Sequence, residues 1–153
     1  MKQSHINFWP TVNFYYNSLE SNRESDYLCN VNRWPIVHKR VMEVFKKNNI
    51  KGVEFYQVFL IDNINNSINN NYYFMYIANF IDAFDLQKSK YYYSKKYNSY
   101  TFMPTLTYFD IKKCYGYDIF RCIKSPAGIY VSDKIKTIIE KNHFTGFFFY
   151  NHV

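Results

Sequence analysis

The strongest constraint on the fold is that one stretch of this chain is written twice. Residues 37–56 (VHKRVMEVFKKNNIKGVEFY) lie over residues 131–150 (VSDKIKTIIEKNHFTGFFFY) without a gap. Val37 falls on Val131, Val41 on Ile135, Val44 on Ile138, Phe45 on Ile139, Asn48 on Asn142, Ile50 on Phe144, Gly52 on Gly146, Phe55 on Phe149 and Tyr56 on Tyr150. Apolar residues recur at i, i+4, i+7 and i+8, one face of an amphipathic helix of about three turns. Ser132 or Asp133 offers a side-chain oxygen to cap the second helix, whereas His38 is a poorer cap for the first. The Asn-x-x-x-Gly after each helix reads as a helix end and turn, because Asn and Gly accept positive φ. Residues 53–60 (VEFYQVFL) and 147–150 (FFFY) are β-branched and aromatic, the composition of a strand. The predicted unit is helix, tight turn, strand, over about 35–61 and 129–153.

Outside the repeat, strands dominate. Residues 63–71 (NINNSINNN) form a polar connection, a hairpin turn or a disordered loop, before a second strand at 72–80. Residues 105–111 and 117–123 are further strand candidates, with Lys112, Lys113 and Gly116 between them and a Ser-Pro-Ala-Gly turn at 125–128. Among the first 34 residues, Phe8, Trp9 and Pro10 are suited to packing, Phe14, Tyr15 and Tyr16 to an edge strand, and 17–26 to a polar loop. The fold class is therefore α+β: a mainly antiparallel sheet with two short amphipathic helices, in a single domain over residues 1–153.

Composition narrows the function. No apolar run approaches the roughly 20 residues of a membrane-spanning helix, and no secretory signal is visible at the start, so a cytoplasmic protein is expected. Three cysteines, Cys29, Cys114 and Cys122, have no C-x-x-C spacing; reduced thiols are expected, with Cys122 in the core. The net charge of +7 invites a nucleic-acid reading. Yet Asn, Lys, Ile, Tyr and Phe, the residues of AT-rich codons, make up more than half of the chain, and 15 lysines stand against 4 arginines. Phosphate and base recognition favours the arginine fork. The charge thus reads first as a solvated surface and second as a match for an acidic partner.

Catalytic signatures are missing. The four glycines are too far apart to cradle a phosphate, and neither H-E-x-x-H nor G-x-S-x-G occurs. His5, His38, His143 and His152 are scattered, with His38 and His143 expected on solvated helix surfaces. Asp82 and Asp85 with Ser89 read as a turn in which a carboxylate accepts backbone N–H groups and the serine caps the next segment. Asp118 and Arg121 point to opposite faces of their strand, and Arg121 is expected to pair elsewhere, with Asp85 a candidate. Residues 88–100 interleave Lys88, Lys90, Lys95 and Lys96 with Tyr91, Tyr92 and Tyr93. Tyrosines are stiff amphipathic anchors and lysines steer acidic partners, which makes this segment, with Asp85 and Arg121 beside it, the candidate contact surface. The same pattern describes a platform for single-stranded nucleic acid, the alternative reading.

Several motifs in order carry a resemblance: Pro35-Ile36-Val37 opening a helix; Gly52-Val53-Glu54-Phe55 after it; Tyr72-Tyr73 leading to Asn79-Phe80-Ile81-Asp82-Ala83-Phe84-Asp85 and Ser89; Asp118-Ile119-Phe120-Arg121; Ile129-Tyr130-Val131-Ser132; and Thr145-Gly146-Phe147-x-Phe149. From residue 35 to the C-terminus the chain resembles a bacterial immunity protein family, the eleventh of a numbered set, formerly a domain of unknown function, encoded beside polymorphic toxins. The resemblance implies a small non-enzymatic protein that binds and neutralises a cognate toxin in the producing cell, with no cofactor and no catalytic residues. Residues 1–34 stand outside it.

Overall fold

The computed structural model describes residues 6–20 and 25–150, the Pro104 side chain excepted. His5 and His152 lie outside the described residues. Strands β1 (Asn13–Tyr16), β2 (Tyr27–Leu28) and β3 (Ile36–His38) lead into helix α1 (Lys39–Lys47), followed by the long strands β4 (Val53–Asp62) and β5 (Ile68–Ile77). Next come β6 (Phe80–Ile81), β7 (Tyr91–Ser94), β8 (Ser99–Phe102), a 3-10 turn (Pro104–Leu106) and the one-turn helix α2 (Ile111–Cys114). The chain then runs through β9 (Ile119–Cys122), β10 (Ser125–Val131) and helix α3 (Asp133–Lys141). The class is α+β, as expected, and most strand pairs are antiparallel. Two among the described residues are parallel, β1 with β4 and β6 with β9.

The strands form three sheets, ordered β1-β4-β5-β3-β2, β10-β9-β6 and β7-β8. Phe14, Tyr15 and Tyr16 do form an edge strand, in register with Leu60, Ile61 and Asp62. The Asn-rich connection resolves as a tight hairpin: Asn66 adopts φ 58°, its N–H donates to the Asp62 carbonyl (2.9 Å), and Asp62 N–H donates to Ser67 (3.0 Å). Strand β5 therefore begins earlier than the composition suggests, inside the asparagine run.

Both repeat helices bury their predicted stripe in one core. Val41, Phe45, Ile135, Ile138 and Ile139 pack with Val37, Met75, Ile77 and Ile119, joining both larger sheets to both helices. Each such side chain contributes about 1.5–3 kcal/mol by burial. On the other face of the five-stranded sheet, Ile36, Val58 and Tyr72 pack beneath Trp9, Trp34 and Phe74. A third cluster, Ala83, Phe84, Phe120 and Cys122, supports the small sheet and the β7-β8 hairpin through Phe102.

Three expectations are corrected. The second copy of the repeat is helix and turn but not strand: residues 147–150 keep a strand's alternation, Phe147 and Phe149 packed inward and Phe148 and Tyr150 exposed, without a ladder. A strand exists through its partner, and the partner that β5 offers β4 has no counterpart there. Residues 105–111 are also no strand. The 3-10 turn opens on Pro104, Thr107 Oγ1 donates to the Met103 carbonyl (2.7 Å), and Asp110 caps α2 by accepting Lys112 N–H (3.1 Å). Only Phe109 makes a bridge, to Phe84. The caps are reversed as well: His38 Nδ1 accepts Arg40 N–H (3.3 Å), whereas the Ser132 hydroxyl turns away from α3 and donates to Asp118 (3.1 Å).

Candidate functional site

The segment singled out by its lysines and tyrosines folds as the β7-β8 hairpin. Tyr91 pairs with Phe102, Tyr92 with Thr101, Tyr93 with Tyr100 and Ser94 with Ser99. Alternation divides the three tyrosines. Tyr91 and Tyr93 share a face with Tyr100 and Phe102, ring centroids 4.8–5.6 Å apart, and Phe102 seats this ladder on Phe84 at 4.1 Å. Tyr92 projects from the opposite face and is 71% exposed. At the tip, Asn98 takes φ 46° and accepts the Tyr93 hydroxyl (2.7 Å), while the Lys96 ammonium lies 5.1 Å from the exposed Tyr97 ring. Lys88, Lys90, Lys95 and Lys96 are exposed, and residues 86–109 contain no carboxylate.

The hairpin's base is locked rather than hinged. Lys90 N–H donates to Leu106 (2.9 Å), Met103 N–H to Lys90 (3.1 Å), and Ser89 both donates to the Tyr108 carbonyl (3.2 Å) and accepts its N–H (2.9 Å). Ser89 thus ties two distant segments together instead of capping the next one. Asp85 behaves as a turn carboxylate: it accepts Gln87 and Lys88 N–H groups and lies 3.6 Å from the Lys88 ammonium. Asp82 pairs with Lys124, whose ammonium also lies over Tyr100. The suggested Asp85–Arg121 contact does not form. Arg121 donates to the Pro126 carbonyl (2.7 Å), and burial pulls its pKa below the ordinary arginine value.

Sequence reasoning missed a heavily bonded carboxylate. Asp26 is buried, pairs with Arg40, and accepts Thr145 N–H (2.8 Å) and the Thr145 hydroxyl (3.0 Å). Arg40 belongs to the first repeat copy and Thr145 to the second, so one carboxylate staples both. Burial works to raise the Asp26 pKa, but the hydrogen bonds from Arg40 and Thr145 prevail and hold it below the usual carboxylate value. Asp62 is likewise buried; hydrogen bonds from Ile64 and Ser18 outweigh burial and lower its pKa. No short-range pattern marks either residue in the sequence.

Among the described residues no three His, Cys, Asp or Glu side chains are grouped to hold a metal. Cys122 is fully buried, as expected, and burial pushes its thiol up to about 12, away from thiolate chemistry. A family model described as "Immunity protein family (Imm11)" matches residues 2–153. The chain belongs to the Imm11 immunity protein family. The match includes residues 2–34, which the motif-based resemblance left out. Comparison with curated proteins finds no match. Membership suggests a non-catalytic inhibitor of toxins, and no described helix is long and apolar enough to cross a membrane.

Proposed function

We propose that this chain binds a cognate polymorphic toxin one to one and neutralises it by occlusion in the cytoplasm of the producing cell, with no cofactor and no turnover. Membership of the Imm11 family carries the reading. The β7-β8 hairpin supports a contact face on an acidic patch of the toxin: Tyr92 and Tyr97 are its exposed anchors, Lys88, Lys90, Lys95 and Lys96 its steering charges, and Tyr91 and Tyr93 the ladder that keeps it stiff. Asp85 and Arg121 belong to the supporting frame.

The test is co-expression with the C-terminal domain of the large polypeptide encoded beside the gene. Rescue of growth and a co-purified one-to-one complex are expected; the absence of both overturns the proposal. Within a complex, Tyr92→Ala combined with Lys95→Glu and Lys96→Glu should weaken binding at least about tenfold, chiefly through faster dissociation and lost steering. Binding of single-stranded DNA that falls steeply between two salt concentrations would favour the nucleic-acid alternative.

A further inference from the structure

The two repeat copies differ by one missing strand. In the first copy β3 and the strand after the turn, β4, are not neighbours: β5 stands between them and pairs antiparallel with both. On its other flank β3 meets β2, and His38 N–H donates to the Asp26 carbonyl there (2.8 Å). The equivalent bond in the second copy runs from Ser132 N–H to the Asp118 carbonyl (2.9 Å), immediately before β9. Strand β9 therefore holds the β2 flank of β10. In an antiparallel ladder the backbone groups alternate between flanks. With Tyr130 opposite Phe120 and Ser132 bonded to Asp118, the amides of Ile129 and Val131 face the other flank, which β5 fills in the first copy.

That flank is the end of its sheet, and Phe148 and Phe149 face the same opening as Ile129 and Val131. Between them the protein is open. A cavity of about 230 Å³ and a groove of about 420 Å³ are both lined by Ile129, Val131, Phe148 and Phe149. The smaller exceeds the roughly 150 Å³ engineered cavity that accepts benzene, so it can take one large apolar side chain. Two charged side chains line the groove, Lys136 and Asp133, and Lys136 makes no ion pair among the described residues. Asp133 sits in the first turn of α3, where the helix N-terminus offsets its charge.

We infer that the slot between β10 and residues 147–150 receives an extended segment of the toxin as an added strand, antiparallel to β10, apolar at alternate residues and carrying a carboxylate toward Lys136. The added strand would satisfy the open amides of Ile129 and Val131 and fill the cavity with side chains, as Met75 and Ile77 of β5 do in the first copy. This inference rests on the toxin-binding reading and gives it a mode of contact distinct from the hairpin.

Backbone hydrogen exchange on the full chain, alone and with the toxin domain, tests it. Expected is exchange slowed at least about tenfold at residues 129–131 and 147–150 on binding. Ile129→Pro removes one open donor at a site whose equivalent in the first copy is Pro35, so the substitution suits the backbone; toxin affinity should fall at least about tenfold. A stable complex without slowed exchange in the slot overturns this inference and leaves toxin binding standing. Failure to form any complex removes both. Slowed exchange in the toxin-free chain that rises with concentration, with a dimer mass, puts a second copy in the slot and overturns the toxin as its occupant.

Discussion

Helix α1 with its exit and helix α3 with its exit are built on one pattern. Each helix spans nine residues at equivalent positions, and each ends on an asparagine whose side-chain amide donates to the carbonyl four residues back, Asn48 to Val44 (2.8 Å) and Asn142 to Ile138 (2.7 Å). A left-handed residue comes next, Asn49 at φ 53° or His143 at φ 51°, and then a left-handed glycine, Gly52 at φ 77° or Gly146 at φ 83°. Beyond the glycine the copies part. One continues as the ten-residue β4, paired along β5; the other runs on as aromatic residues 147–150 without a ladder. Helix and turn are local, satisfied by hydrogen bonds a few residues long, so equal sequence yields equal structure. A strand depends on a partner supplied from elsewhere.

The largest effects should come from the equivalent core positions Phe45 and Ile139. Phe45→Ala should cost about 4 kcal/mol, and Ile139→Ala, a smaller side chain, about 2 kcal/mol. Urea midpoints at unchanged m-values measure both. Equal losses would mean that the second copy is packed as tightly as the first. The glycines sharpen the comparison. A Cβ at Gly146 would lie 2.2 Å from the Tyr27 backbone oxygen, which cannot yield without moving β2. At Gly52 it would meet the Asn79 side chain, which can swing away at the cost of its bond to the Ile119 carbonyl (3.0 Å). Gly146→Ala should therefore cost about 3 kcal/mol and Gly52→Ala about 2 kcal/mol, each including the 1–2 kcal/mol of a left-handed backbone.

Legibility in the sequence divides along the same line. The helices, their asparagine ends and their glycine turns could be read from spacing alone, as could the edge strand at Phe14 and the burial of Cys122. The strand predicted at 147–150 could not be judged, because its aromatic alternation is real and only the partner is missing. Residues 105–111 misled for a related reason: their β-branched and aromatic content fits a strand, but Pro104 and the Asp110 cap act more locally and prevail. At the candidate surface, alternation within β7 could have separated Tyr92 from Tyr91 and Tyr93 once the hairpin register was known. Asp26 was hidden entirely. It sits in a polar stretch, and its partners are 14 and 119 residues away, beyond any local pattern.

Asp26 is also where the two copies can be uncoupled. Asp26→Asn keeps the shape, leaves Arg40 without its counter-charge and weakens the bonds from Thr145, for a loss of about 2 kcal/mol at neutral pH. The pH dependence has a fixed sign. The folded pKa lies below the unfolded value of about 3.9, so the contribution is complete above about pH 4 and is lost as pH falls through the lower folded value. Urea titrations across that range should show a shallower acid limb in Asp26→Asn than in the parent. Asp62, lowered in the same direction, keeps some slope in the variant. An unchanged acid limb would show that the Asp26 bonds do not survive in solution.

The smallest effects, at the two N-caps, discriminate most finely. Ordinary capping preference ranks Ser132 above His38, and on that basis Ser132→Ala should be the costlier change. The geometry reverses the order. His38 accepts Arg40 N–H and meets the Tyr72 ring edge-on at 5.1 Å, so His38→Ala loses both a cap and a contact, about 1 kcal/mol. Ser132 gives its hydroxyl to Asp118, which also holds Lys134 at 2.6 Å, and the α3 amides gain nothing from it. Its loss leaves Asp118 partly exposed and still paired, costing about 0.5 kcal/mol. If Ser132→Ala proved the more destabilising in parallel urea titrations, the serine would be capping α3 after all, and the two copies would be alike at their entrances as well as at their exits.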